Sequence, residues 1–201
     1  ENTKAWYEYR QIFLTDRRIS EGVSFWSDHA GTLQSVAVRT GVPAELVVAI
    51  IGVETYYGRI TGSYRVIDAL ATLAFDYPRR SPFFTGELEQ FLVLAWESGK
   101  DALALKGSYA GAMGYGQFMP SSYRAYARSY EGDGAPDIWD NPADAIASVG
   151  NYLEAHGWRS GEQVVIDDVA DDPYPAMFEG GLKPKKTVAA LALEGLEPTE
   201  P

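Results

Sequence analysis

Between residues 46 and 57 apolar side chains recur as Leu46, Val47, Ile50, Val53 and Tyr57, the spacing of one face of a 3.6-residue repeat. Pro43, with φ fixed in a helix-compatible range, suits the first turn before this stripe, and Gly58 offers the stop after it. The pattern predicts a helix between them. A second helix is predicted over GELEQFLVLAWES, residues 86–98, with Leu88, Phe91, Leu92 and Ala95 as the inner stripe. A third comes after Pro120 over SSYRAYARSY, residues 121–130, where Tyr123, Tyr126 and Tyr130 share a face. A fourth opens at Asn141, where Asn-Pro-Ala-Asp supplies a cap, a first-turn proline and a first-turn acid, and ends near His156 and Gly157. Beyond Trp158 the texture changes. EQVVIDD, residues 162–168, reads as a short strand, Pro173, Pro175 and Pro184 break the stretch after it, and TVAALALEGL, residues 187–196, reads as a short closing helix. The expected fold is therefore mainly α with a small β contribution (α+β), divided into a helical region over residues 1–160 and an accessory segment over 161–201.

Composition narrows the partners. With 201 residues, 46% of them hydrophobic and 13% aromatic, the chain has enough apolar surface for one sizeable core. A net charge of −11 with no Lys/Arg cluster repels nucleic acid and an anionic membrane surface. The absence of cysteine removes disulfides, thiolate metal sites and cysteine nucleophiles together. No apolar stretch approaches the roughly 18 residues of a membrane span. The chain starts at ENTKAWYEYR, without an initiator Met or a leader, and reads as a processed or partial chain whose signal or lipid anchor, and hence any membrane attachment, lies outside this sequence.

Within the first helix stands one carboxylate, Glu54. Counting along the helix places it with Val47, Ile50, Ile51 and Tyr57, on the side expected to face the core, and in the last turn. Desolvation and the negative end of the helix dipole both raise the pKa of such an acid. A carboxyl still protonated near neutral pH is what a general acid requires, as the apolar-pocket glutamate of lysozyme illustrates. The plainer reading is a glutamate at a helix end, half exposed or paired with Arg59 or Arg65. A second stretch, LKGSYAGAMGYGQFMPSSY at residues 105–123, is dense in glycine, with Ser108 and Gln117 as its main polar chemistry. A phosphate cradle would need a Gly-Lys-Ser/Thr ending, which is missing. Two readings stay open: a tight structural loop, or one wall of a cleft for an uncharged polymer. In the second, Tyr115 and Phe118 stack on sugar faces while Gln117 and Ser108 bond to hydroxyl or acetamido groups.

IIGVET, DALATLAFDYPRRSPFFTGELEQFL and LKGSYAGAMGYGQFMPSSY, in this order, resemble the membrane-bound lytic transglycosylase B family of bacterial peptidoglycan-cleaving enzymes, which includes soluble periplasmic relatives. The likeness runs over nearly the whole chain. It implies a lysozyme-like helical catalytic core with small accessory elements, a periplasmic location, free or lipid-anchored to the outer membrane, and peptidoglycan glycan strands as the partner, with cell-wall synthesis or remodelling proteins as further ones. The implied reaction cleaves the β-1,4 bond between N-acetylmuramic acid and N-acetylglucosamine without water, leaving a 1,6-anhydro ring. By this resemblance the catalytic acid falls on Glu54, the neighbouring serine and glutamine on Ser108 and Gln117, an arginine pair meeting the peptide stem on Arg79 and Arg80, and an early cleft tyrosine on Tyr9. Tyr152 joins Tyr115 and Phe118 among the expected substrate-binding aromatics. The family usually continues past GLEPTEP into a segment that closes the cleft.

Glycoside hydrolysis normally takes two flanking carboxylates. Asp68, Asp76, Glu87 and Glu89 offer no convincing second one: the first two sit by turns, and the glutamates open the predicted 86–98 helix as favourable dipole residues. A transglycosylase uses the sugar's own C6 hydroxyl as nucleophile, so a single Glu suffices. A hydrolysing muramidase and a non-catalytic peptidoglycan-binding module are the alternatives. No cofactor is required by this chemistry. His29 and His156 have no paired ligand spacing, which argues against catalytic zinc. SYEGDGAPDIWDNPAD, residues 129–144, resembles a calcium loop, with Glu131, Asp133, Asp137 and Asp144 as candidate ligands. Ser129 replaces the first-position Asp, so the expectation is a weak structural calcium or a plain acidic turn.

Overall fold

The structure, a computed structural model, describes residues 4–132, 134–165, 168–170 and 185–198. The chain divides into two compact units, Glu1–Ser160 and Gly161–Pro201. The first is helical: α1 (Trp6–Tyr9) and a 3₁₀ turn (Arg10–Ile12), then α2 (Asp16–Asp28), α3 (Ala30–Thr40), α4 (Ala44–Thr55), α5 (Val66–Asp76), α6 (Ser81–Ser98), α7 (Pro120–Tyr126) and α8 (Pro142–Ala155). Two short antiparallel strands, β1 (Tyr64–Arg65) and β2 (Lys106–Gly107), pair Tyr64 with Gly107 and Arg65 with Lys106. Isolated bridges from Gly107 to Met113 and from Met113 to Phe118 continue this ladder. The glycine-rich segment is thereby tied to the chain that leaves α4.

The core lies where the helices cross: Leu33 and Val36 from α3, Val47 and Ile51 from α4, Leu70 from α5, Phe91 and Leu94 from α6, and Ile146 from α8 are all at most 1% exposed. Burial of that kind is the main favourable term in folding. Gly150 lets α8 approach α3, since a Cβ there would press on Val36.

Two of the predicted helices run close to their expected bounds. α4 starts just after Pro43, and α8 is capped as the sequence suggests, with Asn141 Oδ1 accepting the Ala143 N–H at 3.0 Å and Pro142 opening the helix. α6 begins earlier than expected, at Ser81, because Pro82 sits in its first turn, where its missing N–H has no consequence. Its buried stripe is also rotated: Phe84, Glu87, Phe91, Leu94 and Ala95 face inward, while Leu92 is 48% exposed. α7 stops at Tyr126, because Ala127 turns extended (φ −62°, ψ 143°), and Tyr130 lies beyond it.

In the second unit α9 (Val188–Ala192) is capped by Thr187, whose Oγ1 accepts the Ala190 N–H at 3.1 Å. It is shorter than the expected 187–196. Gly195 takes a left-handed conformation (φ 93°), and the chain then enters β4 (Leu196–Pro198), antiparallel to β3 (Asp168–Ala170). The strand expected over 162–168 is displaced: residues 162–165 belong to no strand, 166 and 167 lie outside the described residues, and pairing begins at Asp168. Pro173, Pro175 and Pro184 also lie outside them.

Candidate active site

α4 ends abruptly next to its acid. Tyr56, Tyr57 and Gly58 take left-handed backbone conformations in succession (φ 54°, 60° and 84°), which cannot continue an α-helix. Left-handed geometry is unfavourable for the two tyrosines, and the surroundings hold them there. The Tyr57 hydroxyl donates to the Arg18 carbonyl at 3.0 Å, and the Arg18 guanidinium lies 4.7 Å from the Tyr56 ring centre and 5.2 Å from that of Phe13. Gly58 has its own reason to be glycine, because a Cβ there would collide with the Tyr115 ring.

Facing the end of α4 is a tight hairpin over residues 113–118. Met113 and Phe118 exchange both backbone hydrogen bonds at 2.9 Å, and the four residues between them form its tip. Gln117 stands there at φ 51°, its Nε2 donating to Thr61 O at 3.2 Å and Gly114 O at 3.0 Å. These bonds fix the Gln117 amide against the hairpin and the chain that leaves α4. The Tyr115 N–H donates to Ile138 O at 3.0 Å, and the Tyr115 carbonyl accepts the Thr55 hydroxyl at 2.8 Å.

Between α4, this hairpin, α7 and α8 lies an open cleft of about 370 Å³. Glu54 lines it with Gln117, Phe118 and Tyr152, together with Ile50, Gly116, Met119, Ser122, Val149 and Leu153. Glu54 is the one acid among these lining residues. It does not point into the core, as the helical count suggested. Val47 and Ile51 are buried, whereas Glu54 sits at the edge of their face and opens to the cleft. The apolar walls still act on it, and desolvation raises its pKa above the ordinary carboxylate value. Tyr152 is held by its neighbours: its ring packs edge-on to Phe118 and Tyr126 and stacks at 4.0 Å on His156, whose Nδ1 lies 2.7 Å from Tyr152 O.

Other expected site residues lie apart from this cleft wall. The Ser108 oxygen accepts the N–H groups of Ala110 at 3.3 Å and Ala112 at 3.1 Å, closing the turn that leads into the hairpin. The Tyr115 ring covers Gly58, and burial, with Asp140 second, raises its hydroxyl pKa. Tyr9 ends α1, exposed, with its ring 5.3 Å from that of Phe13. Arg79 and Arg80 precede α6 and are exposed, and the Arg80 guanidinium lies over Phe83 at 4.4 Å.

Glu87 departs most from its sequence reading. It does not open α6 but sits in its middle, 6% exposed, and its carboxylate accepts the Ser121 N–H at 2.9 Å and the Ser121 hydroxyl at 2.6 Å. It caps α7, the helix that brings Ser122 to the cleft. Ile50, Met119, Ser122, Val149 and Leu153 were not singled out in the sequence as site residues, although Ile50, four residues before Glu54, was within reach of the helical count. The others belong to elements that meet α4 only through tertiary packing.

The acidic loop assembles differently from a calcium site. Among the described residues no group of three or more His, Asp or Glu side chains could hold a metal ion, and Asp133 lies outside them. Glu131 is exposed. Asp144, only 4% exposed, spends one oxygen on the Tyr130 N–H at 2.8 Å and the other on the Asp137 N–H at 2.7 Å. Asp137 Oδ1 accepts the Trp139 and Asp140 N–H groups, with the Lys100 ammonium 3.6 Å away. Backbone N–H groups thus take both Asp144 oxygens and Asp137 Oδ1, and among the described residues the loop is held by its own backbone.

Comparisons with known proteins agree in direction. The family model described as transglycosylase SLT domain matches residues 1–201. Membrane-bound lytic murein transglycosylase B of Escherichia coli (strain K12) is 50% identical over 197 residues, covering 98% of this chain and 54% of the relative. The chain thus spans about half the length of that curated relative. The crystal structure of soluble lytic transglycosylase SltB1 from Pseudomonas aeruginosa matches with a TM-score of 0.95 at 51% identity, over 100% of this chain and 68% of that one. Escherichia coli lytic transglycosylase Slt35 in complex with calcium matches at 0.91 and 48% identity, over 99% of this chain and 62% of that one. SltB3 from Pseudomonas aeruginosa, in complex with NAG-NAM-pentapeptide, matches at 0.76 and 40% identity, over 80% and 42%.

Proposed function

Because this chain belongs to the transglycosylase SLT domain family and shares the lysozyme-like helical fold of the lytic transglycosylases, we propose that it is a peptidoglycan lytic transglycosylase with Glu54 as its catalytic residue. The reading rests on one observation above all: a single carboxyl with a raised pKa in an otherwise acid-free, largely apolar cleft. A raised pKa favours the protonated form, from which Glu54 delivers a proton to the glycosidic oxygen of the leaving N-acetylglucosamine. Having lost it, the carboxylate accepts the proton of the C6 hydroxyl of N-acetylmuramic acid as that oxygen closes on C1. The glycosidic bond breaks, the C6–O–C1 bond forms, and Glu54 ends protonated as it began. No second carboxylate is needed and no water is consumed.

Gln117, its amide N–H groups held by Thr61 and Gly114, offers its carbonyl oxygen to a sugar hydroxyl or an acetamido N–H. Phe118 and Tyr152 supply rings for sugar faces. Ser108, whose oxygen is taken by two backbone N–H groups, retains its O–H as a donor to the glycan. Tyr115 acts through the shape of the hairpin. Tyr9, Arg79 and Arg80 lie outside the central cleft wall and suit outer contacts, the arginines with acidic groups of the peptide stem. A structural homologue was solved with NAG-NAM-pentapeptide, which supports glycan strands bearing peptide stems as the substrate class. A peptidoglycan substrate calls for a periplasmic location, free or lipid-anchored. No single described helix is long and apolar enough to cross a membrane. A homologue was solved with calcium, but no catalytic step here is assigned to it.

Glu54→Gln tests the assignment. It should reduce release of soluble fragments from purified sacculi by about 10³-fold or more, while co-sedimentation with sacculi stays within about twofold of the unaltered protein. Cleavage surviving at more than a tenth of the original rate would remove Glu54 from the chemistry.

A further inference from the structure

Thr55 adjoins Glu54 in sequence yet takes no part in the cleft wall, and only 1% of it is exposed. A threonine near a helix end ordinarily satisfies its hydroxyl on the carbonyl four residues back. Here that contact, to Ile51 O, is the longer one at 3.2 Å, while the Tyr115 carbonyl, 60 residues away in sequence, stands at 2.8 Å. The same oxygen accepts the Gly58 N–H at 3.0 Å. One O–H proton cannot serve two carbonyls fully, and the shorter contact runs to the hairpin. The hydroxyl therefore joins the end of α4 to the hairpin tip, in a joint completed by the Tyr115 ring over Gly58. Glu54 precedes Thr55 on one side of this joint, and Gly116, Gln117 and Phe118 come after Tyr115 on the other. All four line the cleft.

We infer that Thr55 is a positioning residue, whose hydroxyl sets the approach of the Gln117 hairpin to the Glu54 carboxyl and so the closeness of the cleft around the acid. Removing it leaves the Tyr115 carbonyl and the Gly58 N–H short of a partner inside the protein, and both are then driven to seek water. The hairpin loosens, the Glu54 carboxyl gains solvent, and the geometry needed for proton transfer is lost. A displacement of about 1 Å in such a site is enough for roughly a 10²-fold change in rate.

The kinetic half of this inference rests on the transglycosylase reading; the positional half does not. Thr55→Val keeps the shape and removes the hydroxyl, and Thr55→Ser keeps the hydroxyl. Two quantities are read for each variant: the Glu54 pKa by carboxyl NMR titration without substrate, and kcat and KM on glycan strands. In Thr55→Val the Glu54 pKa should fall toward the ordinary carboxylate value, and kcat should fall by about 10- to 100-fold with KM within about threefold. Thr55→Ser should restore both. If Thr55→Val does not fold, Thr55→Cys, with its weakly bonding thiol, takes its place under the same two readings. An active protein whose Thr55→Val form keeps the original Glu54 pKa and a kcat within twofold overturns the inference. An inactive protein whose Glu54 pKa still responds to Thr55→Val supports the positioning and overturns the transglycosylase reading instead.

Discussion

At Glu54 folding and chemistry favour the same protonated form, although a carboxyl there costs stability once it ionises. Burial raises its pKa, so folding penalises its charged form. The stabilising share of that preference is complete below the unfolded carboxyl pKa of about 4.5, and it is lost as pH rises through the higher folded value. Activity that depends on the proton takes the same limb, falling as Glu54 ionises. Glu54→Gln should therefore melt higher than the unaltered protein at pH 7 and no higher at pH 4. Because the residue opens to the cleft, solvent screening holds the gain below about 1 kcal/mol, a shift of no more than about 4 °C at this chain length. Parallel melts at the two pH values check it: a Glu54→Gln protein that is less stable at pH 7 would show that the carboxylate is welcome where it sits. The sequence made this acid conspicuous because a carboxylate inside IIGVET breaks an apolar run. It misjudged the aim, because the wall that desolvates Glu54 is built by a hairpin far along the chain, and local spacing carries no record of it.

Among the elements, helices announced by punctuation were legible. α4 begins after Pro43 and ends before Gly58, and α8 opens with Asn141 and Pro142. α2, α3 and α5 were not identified. α2 shows why: Ile19, Val23 and Trp26 make a helical stripe, but that stripe is exposed, and the buried positions are Gly22 and Phe25. The terminal elements of the second unit failed for another reason, since a strand as short as Asp168–Ala170 exists only by pairing with Leu196–Pro198. Glu87 belongs at this scale too. As a charged side chain in an amphipathic helix it reads as surface, whereas it is the buried cap that joins α6 to α7. Glu87→Ala removes two hydrogen bonds to an ionisable acceptor and should destabilise the protein by about 2–3 kcal/mol. Glu87→Gln, which keeps an acceptor, should lose less than half of that. Denaturant unfolding of both variants provides the comparison, and an alanine variant within about 0.5 kcal/mol of the original would reduce this cap to an incidental contact.

For the molecule as a whole, the net charge of −11 disfavours nucleic acid, while an uncharged sugar backbone suits the largely apolar cleft that Glu54 lines. In the proposed reaction the C6 hydroxyl of the substrate, and not water, attacks C1. Digesting sacculi in water enriched in oxygen-18 and weighing the muropeptides tests this directly. A transglycosylase leaves anhydro ends that are lighter than the reducing product by one water and carry no heavy oxygen. Reducing ends bearing the label at C1 would instead make the protein a hydrolase.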